Sequence, residues 1–298
     1  MSSALKNTLE VLKEVIVDHI EQYGHNTTTT HDPTPTEFFA LITSIISNGS
    51  KSKALSQLSN DKLPELLIIL AAVIPQSSVI VIKQQLKLIT MTLLAIVQVN
   101  GNVTTQDGLN VTFLSLSCLS AVMIQSFSSN TIHSSMEWFK GINCFLTFLD
   151  CDENKIRKLS HHILIKLMNI SSKFTSNEKD SAITYISEFC LEVLKSCTRN
   201  QYRRPLCVII FLESSLSSVA SSLLLQIIQT ALQLQVCEVP KLTAAVYRML
   251  DSFLQTKYYS AVDPQVSDLI DAVLPMILSN PVNTADMEAN THFWFDNI

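Results

Sequence analysis

Two adjacent histidines and several basic side chains share one short stretch of the chain, DENKIRKLSHHILIKLMN at residues 152–169. Histidine is a common metal ligand, and lysine and arginine bind phosphates. Neighbouring residues of a helix point about 100° apart, so His161 and His162 cannot both reach one ion. Neither histidine has a Cys, Asp or Glu three or four residues further along. The stretch lacks the spacing of a helical metal site, and we expect no metal and regard the histidines as bystanders.

The basic residues of this stretch belong to a longer basic region. Residues 155–204 contain ten Lys and Arg against four Asp and Glu, whereas residues 205–298 contain three against nine. This distribution predicts two surfaces of opposite charge. The basic surface could bind the phosphates of an extended nucleic acid or an acidic partner, or be an ordinary solvated face. Its candidate residues are Lys155, Arg157, Lys158, Lys166, Lys195, Arg199, Arg203 and Arg204.

The acidic surface is the second candidate for binding. Basic tails of partner proteins could meet its carboxylates, although an ordinary acidic surface explains the same composition. Its candidate residues are Asp251, Asp263, Asp268 and Asp271.

The sequence signatures of common enzymes are missing. There is no GxSxG, HExxH, Walker loop or GxGxxG. Glycine occurs five times and never after Gly141, which excludes glycine-rich phosphate loops from the second half. The seven cysteines form no CxxC and are expected to be small buried residues of a reducing compartment. We therefore expect a protein without catalytic activity and without a cofactor.

Hydrophobic residues recur at helical spacing along the chain, without the alternation of strands. We predict an N-terminal amphipathic helix over residues 1–23, a polar linker or loop over 24–36 and a helical array over 37–298. Helix starts are about 15 to 30 residues apart, so a pair takes about 40 residues, the period of HEAT or armadillo repeats. From residue 77 onward the predicted helices are 77–99, 106–127, 132–149, 154–174, 177–197, 205–219, 220–234, 239–255, 264–279 and an incomplete one from about 284.

Two apolar segments raise the question of a membrane. The uncharged run over residues 66–75 is shorter than the roughly 18 residues that span a bilayer, and the segment 79–99 carries Lys83 and Lys87. We predict that both are buried helices and that the chain does not span a membrane. The charged, amphipathic N-terminus also predicts a protein that is not secreted.

Two segments have the pattern of the second helix of a HEAT repeat. In DENKIRKLSHHILIKL an acid precedes a basic start and aliphatic residues follow at helical spacing. EVPKLTAAVYRMLDSFL, from Glu238 onward, has the same order. The early acid favours a helix N-terminus, and small inward residues such as Ser160 and Ala245 would let neighbouring helices approach. The first segment is thus interpreted as the inner helix of a repeat with its basic residues along one edge.

The succession of segments resembles the N-terminal half of the ribosomal RNA processing protein twelve family, which comprises large HEAT-repeat proteins of ribosome assembly. TPTEFFALITSI, IKQQLKLITMTLLAIV, LNVTFLSLSCLSAVMIQ and VPKLTAAVYRMLDSFLQ follow one another, and Thr147 to Leu167 is the most specific stretch. The resemblance extends from Thr34 to Ile298. It implies an all-α fold, a right-handed α-α superhelix of about six HEAT- or armadillo-like repeats.

The resemblance also implies a function. Members of the family are nuclear or nucleolar scaffolds that accompany pre-ribosomal particles through RNA processing and export. We therefore expect a scaffold that binds pre-ribosomal RNA and assembly or transport factors, and no small-molecule substrate. The alternative is a HEAT or armadillo adaptor of nuclear transport or trafficking that binds proteins only, in the nucleus or the cytoplasm. Family members are longer, so the array is expected to be truncated at ANTHFWFDNI.

Overall fold

The computed structural model describes residues 3–23, 32–48, 62–101, 105–127, 136–171, 179–234 and 239–258. Within these ranges the regular structure is entirely helical, which confirms the predicted all-α class. Short 3-10 turns, Ile74–Gln76 and Leu216–Ser218, follow two of the helices. The α-helices are α1 Ser3–Tyr23, α2 Pro35–Asn48, α3 Leu63–Val73, α4 Val79–Asn100, α5 Gln106–Phe127, α6 Met136–Thr147, α7 Asn154–Ser171, α8 Lys179–Lys195, α9 Arg203–Ser215, α10 Ser221–Gln233 and α11 Pro240–Tyr258.

The chain divides into two compact units, Met1–Ala182 and Ile183–Ile298. The boundary falls in the first turn of α8. The helices that were predicted at 264–279 and from 284, together with the aromatic residues of ANTHFWFDNI, lie outside the described residues. The division of the chain into a helix, a linker and an array at residues 23 and 36 stays a prediction.

Helices of the first unit form two layers of helical hairpins. Consecutive helices pack in pairs, α2 with α3, α4 with α5 and α6 with α7. Each helix also contacts the helix two places further along, so α2, α4 and α6 form one layer and α3, α5 and α7 form the other. Helix α1 packs on α2 and α3. This is the arrangement of a helical-repeat protein, in which each hairpin buries its apolar faces against its neighbours.

Hydrogen bonds between hairpins show the length of the repeat directly. The Ser78 N–H donates to Thr36 Oγ1 at 3.0 Å, which places the starts of α2 and α4 side by side, 42 residues apart. In the other layer Cys118 Sγ donates to the Leu67 carbonyl at 3.2 Å, 51 residues away. Gln125 Nε2 donates to the Pro75 carbonyl at 3.0 Å, 50 residues away, so α3 and α5 run in the same direction. The 42-residue offset between α2 and α4 agrees with the predicted repeat of about 40 residues, whereas the offsets of 50 and 51 residues between α3 and α5 are longer.

The second unit is built from contacts of the same kind. Helix α11 packs on α9 and α10. Buried Ser187 of α8 accepts the Ala220 N–H at 3.1 Å and donates to the Ile183 carbonyl at 2.7 Å. Ser252 Oγ of α11 donates to the Glu213 carbonyl at the end of α9 at 2.9 Å. These bonds hold the ends of the helices to the neighbouring repeat.

A capping box defines the N-terminus of α2, the first helix of the first hairpin. The Thr34 N–H donates to the Glu37 carboxylate at 2.7 Å, and the Glu37 N–H donates to Thr34 Oγ1 at 3.4 Å. Pro35 follows at the first helical position, where its missing N–H is of no consequence. The sequence TPTE thus defines where α2 begins.

Small residues lie inward where helices meet, as predicted. Ser160 of α7 and Ala245 of α11 are both fully buried. Gly141 of α6 lies so close to α5 that a Cβ atom there would be 2.7 Å from Met123 Sδ. The absence of a side chain at Gly141 therefore sets the spacing of this helix pair.

Helices α4 and α5 are long and apolar enough to cross a membrane by length and composition, a test that core helices also pass. About half of the apolar stretch of α5 is buried in the protein, but only 28% of that of α4. The prediction that residues 79–99 form a buried helix is therefore wrong for one face of α4. The physical reason is its position: a helix in one layer of a two-layer stack packs on its neighbours and leaves its outer side open.

Candidate nucleic-acid interface

Helix α7 carries three of the predicted basic residues along one exposed line. Lys155, Lys158 and Lys166 are exposed, and His162 and Asn169 are exposed at the positions that complete the line. Successive members are three or four residues apart, so they share one side of the helix. We call these five residues the α7 stripe. The three ammonium groups extend over about 16 Å of helix, long enough to meet several phosphates of one strand.

The rest of α7 explains why this side is presented outward. The helix begins after Glu153, whose carboxylate accepts the Lys155 N–H at 3.3 Å and whose carbonyl accepts the Arg157 N–H at 3.0 Å. An acid at this position favours the helix N-terminus. The apolar side packs on α5 and α6. The buried residues of α7 are Ile156, Ser160, Ile163, Leu164, Leu167, Met168 and Ser171.

Arg157 does not belong to the stripe. Its guanidinium extends back over the turn between α6 and α7, where Nη1 donates to the carbonyls of Cys151 and Asp152. Nη2 donates to Asn154 Oδ1 at 3.2 Å. The side chain is half-buried. Arg157 therefore fixes the turn between α6 and α7.

His161 lies four residues after Arg157 on α7 and contacts the same turn between α6 and α7. Its Nε2 is 3.1 Å from the Leu149 carbonyl. Burial lowers the pKa of His161 below its ordinary value of 6.5, and the charge of Arg157 lowers that pKa further, although the bond to Leu149 opposes both. The imidazole is accordingly neutral near pH 7 and donates its Nε2–H to the carbonyl. His161 is therefore not a bystander.

Together, Arg157 and His161 bind three backbone carbonyls of the turn at residues 149–152. Carbonyls at the end of a helix have no partner within the helix and need one from elsewhere. We call this pair the turn clamp. The pattern of basic residues did not predict this pair, although the sequence carries a signal: two donor side chains four residues apart, close after a short polar turn.

A second basic group lies around the start of α9, in the second unit. Lys195 ends α8 and is exposed, Arg199 is exposed in the turn that follows, and Arg203 and Arg204 form the first turn of α9. The Arg204 guanidinium lies 5.3 Å from the centre of the Phe189 ring. A positive charge is unfavourable at a helix N-terminus, and Arg204 lies in the first turn of α9. The cation–π contact places its guanidinium over α8 and compensates for this position. The alignment of this group with the α7 stripe along one edge stays a prediction.

Of the four acidic candidates, Asp251 is half-buried on α11. The others, Asp263, Asp268 and Asp271, lie outside the described residues. The structure shows a different use for one acid of this region: Glu213 Oε2 of α9 lies 3.5 Å from Arg248 Nε of α11. This ion pair joins neighbouring helices and is partly exposed.

Burial makes Cys118, Cys144 and Cys190 poor nucleophiles. Cys118 and Cys190 are fully buried. Burial raises the pKa of the Cys190 and Cys144 thiols to about 12, so thiolates do not form near neutral pH. Among the described residues no group of His, Cys, Asp and Glu is suited to hold a metal. The described geometry offers surfaces for binding.

Comparison with known proteins identifies the family. The family described as RRP12-like, N-terminal HEAT repeats matches residues 27–260. A search of curated proteins finds no match. A crystal structure of an engineered protein from the Northeast Structural Genomics Consortium is similar, with a TM-score of 0.33 and 12% identity, over 85% of this chain and 96% of that chain. The family match covers most of the chain, and the chain therefore belongs to the RRP12-like family, of whose N-terminal HEAT repeats it is made.

Proposed function

We propose that this chain is a non-catalytic scaffold in ribosome biogenesis, acting in the nucleus and nucleolus during pre-ribosomal RNA processing and pre-ribosome export. Membership of the RRP12-like family supports this role. HEAT-repeat solenoids generally serve as scaffolds, because stacked repeats offer long surfaces to extended partners. The partners in this proposal are pre-ribosomal RNA and ribosome assembly or transport factors.

The single observation that supports contact with RNA is the α7 stripe. Its lysines are exposed and lie on one side of one helix, as a contact with a phosphate backbone requires. Arg157 is excluded from this contact because its guanidinium binds the turn. The acidic candidates at Asp251, Asp263, Asp268 and Asp271 remain proposed sites for basic segments of protein partners.

Reversal of two charges tests the contact. The Lys155→Glu/Lys158→Glu variant should bind a pre-ribosomal RNA fragment about tenfold or more weakly at moderate salt. The slope of log affinity against log salt should become less negative by about 1.4 if two contacts to single-stranded RNA are lost. Electrophoretic mobility or fluorescence anisotropy measures both quantities.

A matched variant separates local contact from general charge. Lys6→Glu/Lys241→Glu changes the net charge equally at two exposed residues of α1 and α11. It should bind RNA with a salt slope close to that of the unmodified chain. Equal losses in the two double variants would show that the α7 stripe is a solvated face and not an interface.

Purification of the tagged chain from its own cells tests the wider role. Enrichment of pre-ribosomal RNA together with assembly factors is the expected result. Cargo or coat proteins without ribosomal precursors would instead favour the alternative, an adaptor in transport or trafficking that binds proteins only.

A further inference from the structure

Helix α4 exposes an apolar line on its outer side. Ile80 is 70% exposed, Val99 is 72% exposed, and Leu88 and Met91 are each 42% exposed. Ala95 completes the line and is also exposed. We call these five residues the α4 stripe. Successive members are three, four or eight residues apart, so they lie on one side of the helix.

The opposite side of α4 is the side that packs in the repeat. Its buried residues include Ile82, Leu86, Ile89, Leu93 and Val97. A helix that is apolar on both sides is normally buried on both sides. The α4 stripe is therefore unlike the outer side of α7, where lysines and polar residues occupy the equivalent positions. Exposed Gln84 interrupts the line between Ile80 and Leu88, and the exposed apolar positions continue from Leu88 to Val99. An exposed apolar patch of this kind is typical of a binding surface.

The size of the stripe favours a helix as its occupant. Helix α4 has 22 residues, which gives a length of about 33 Å and a width of about 10 Å. The resulting area of roughly 300 Å² is well below the roughly 800 Å² per partner that a stable dimer buries. An amphipathic helix that lies along α4 would cover this area with three or four anchor residues.

Charge around the stripe specifies the kind of helix. Helix α4 contains Lys83 and Lys87 and no acid. On neighbouring α6, the Lys140 ammonium lies 3.9 Å from Met91 Sδ, beside the stripe. Among the acids of the helices that pack on α4, Glu137 of α6 is half-buried, the Glu37 carboxylate of α2 binds Thr34, and Asp107 at the start of α5 is exposed. Lysines thus border the stripe on α4 and α6.

We propose that the α4 stripe docks an amphipathic helix of a partner protein whose apolar seam is flanked by Asp and Glu. The apolar anchors meet Leu88, Met91 and Val99, and the flanking carboxylates meet Lys87 and Lys140. This surface is separate from the α7 stripe and does not depend on RNA binding.

Two synthetic peptides test the proposal with the full chain. One is an 18-residue amphipathic helix with leucines along one seam and glutamates on both borders, and the other carries lysines in place of the glutamates. Fluorescence anisotropy should show that the glutamate peptide binds at least about tenfold more tightly than the lysine peptide. The Lys87→Glu variant should reduce or reverse the preference for the glutamate peptide. Equal binding of the two peptides would overturn the charge argument.

Variants of exposed residues locate the site without disturbing the core. Leu88→Gln/Met91→Gln should weaken binding of the glutamate peptide about tenfold or more. The matched variant Ile68→Gln/Leu225→Gln changes two residues that are exposed on α3 and α10 and should leave binding unchanged. Equal losses in both variants would overturn the assignment of the site to α4. The Lys155→Glu/Lys158→Glu variant should bind the peptide normally, so failure of RNA binding and failure of this proposal can be told apart.

Two other occupants have distinct signatures. Sedimentation that shows a dimer of the full chain, lost in Leu88→Gln/Met91→Gln, would assign the stripe to a second copy and overturn the proposal. Flotation of the chain with vesicles of phosphatidylcholine and phosphatidylserine, lost in the same variant, would assign it to a lipid surface and also overturn the proposal. The expected result is a monomer in sedimentation and no flotation with vesicles.

Discussion

At the scale of single residues, Arg157 shows how local geometry decides the role of a charged side chain. Three basic residues lie close together near the start of α7, and their types alone make them equal candidates for phosphate contact. Lys155 and Lys158 point outward, whereas Arg157 turns back onto the carbonyls of Cys151 and Asp152. The difference arises because Arg157 occupies the side of the helix that faces the preceding turn.

Removal of the Arg157 guanidinium should therefore destabilise the fold. Arg157→Ala leaves the Cys151 and Asp152 carbonyls without this donor, and we expect the free energy of unfolding to fall by about 2 kcal/mol. Arg157→Lys should recover only part of this loss, because an ammonium cannot donate in the planar geometry of the guanidinium. Urea unfolding followed by circular dichroism measures both changes.

Lys158→Ala is the control for this experiment. Lys158 is exposed on the same helix, so the free energy of unfolding should change by no more than about 0.5 kcal/mol. If Arg157→Ala and Lys158→Ala proved equally stable, the turn clamp would have no measurable effect on the fold.

His161 should make stability depend on pH. Its pKa in the folded chain lies below the ordinary value of 6.5. Between these two pKa values the unfolded chain binds more protons than the folded chain, so the stability that His161 contributes is complete above about pH 6.5 and is lost as the pH falls below it. We expect urea unfolding of the unmodified chain to show a smaller free energy at pH 5.5 than at pH 7.5.

Two neighbouring variants isolate the contribution of His161. His161→Gln should reduce the difference between the two pH values, because the side chain no longer titrates. His162→Gln makes the same substitution at the neighbouring exposed position and is the matched control. An unchanged pH dependence in His161→Gln would contradict the prediction.

At the scale of helices, hydrophobic spacing predicted the elements well. Helix α5 was expected at residues 106–127 and is Gln106–Phe127, and α7 was expected to start at residue 154 and does. These limits follow from local signals, such as the acid before α7. Helix α6 was expected over residues 132–149 and ends at Thr147, while residues 132–135 lie outside the described part of the chain.

Close packing between helices should make buried Ala245 intolerant of larger side chains. Ala245→Leu must place three more carbon atoms where α11 packs on α9 and α10, and we expect it to lower the free energy of unfolding by about 1–3 kcal/mol. Ala244→Leu adds the same atoms at the neighbouring exposed position and should be nearly neutral. Urea unfolding checks both variants, and equal effects would contradict inward packing at residue 245.

The candidate site was predictable only in part, for a physical reason. The positions of Lys155, Lys158 and Lys166 on one side of a helix follow from spacing alone. The contacts of Arg157 and His161 depend on how the turn at residues 149–152 brings its carbonyls toward α7, and the spacing of two donor side chains after a polar turn does not by itself predict that path. The exposure of the α4 stripe depends on which layer of the stack contains α4, which apolar spacing does not reveal.

At the scale of the whole molecule, the repeated hairpin explains both the composition and the candidate surfaces. Each hairpin of the first unit buries two helices against the previous pair, so a chain with few glycines and many aliphatic residues suffices. The same arrangement leaves one side of each helix free of the stack. Lysines occupy that side on α7 and apolar residues occupy it on α4, which gives the first unit two chemically different surfaces.

The hydrogen bonds between repeats also determine when the protein can fold during its synthesis. Those that join α2 to α4 and α3 to α5 connect residues 42 to 51 positions apart. Each such contact can therefore form after the ribosome has added about fifty further residues, which takes roughly three to ten seconds at 5–20 residues per second. A chain whose contacts are this local has a low contact order and can fold from its N-terminus while synthesis continues. The repeat architecture of the first unit is thus well suited to folding during synthesis.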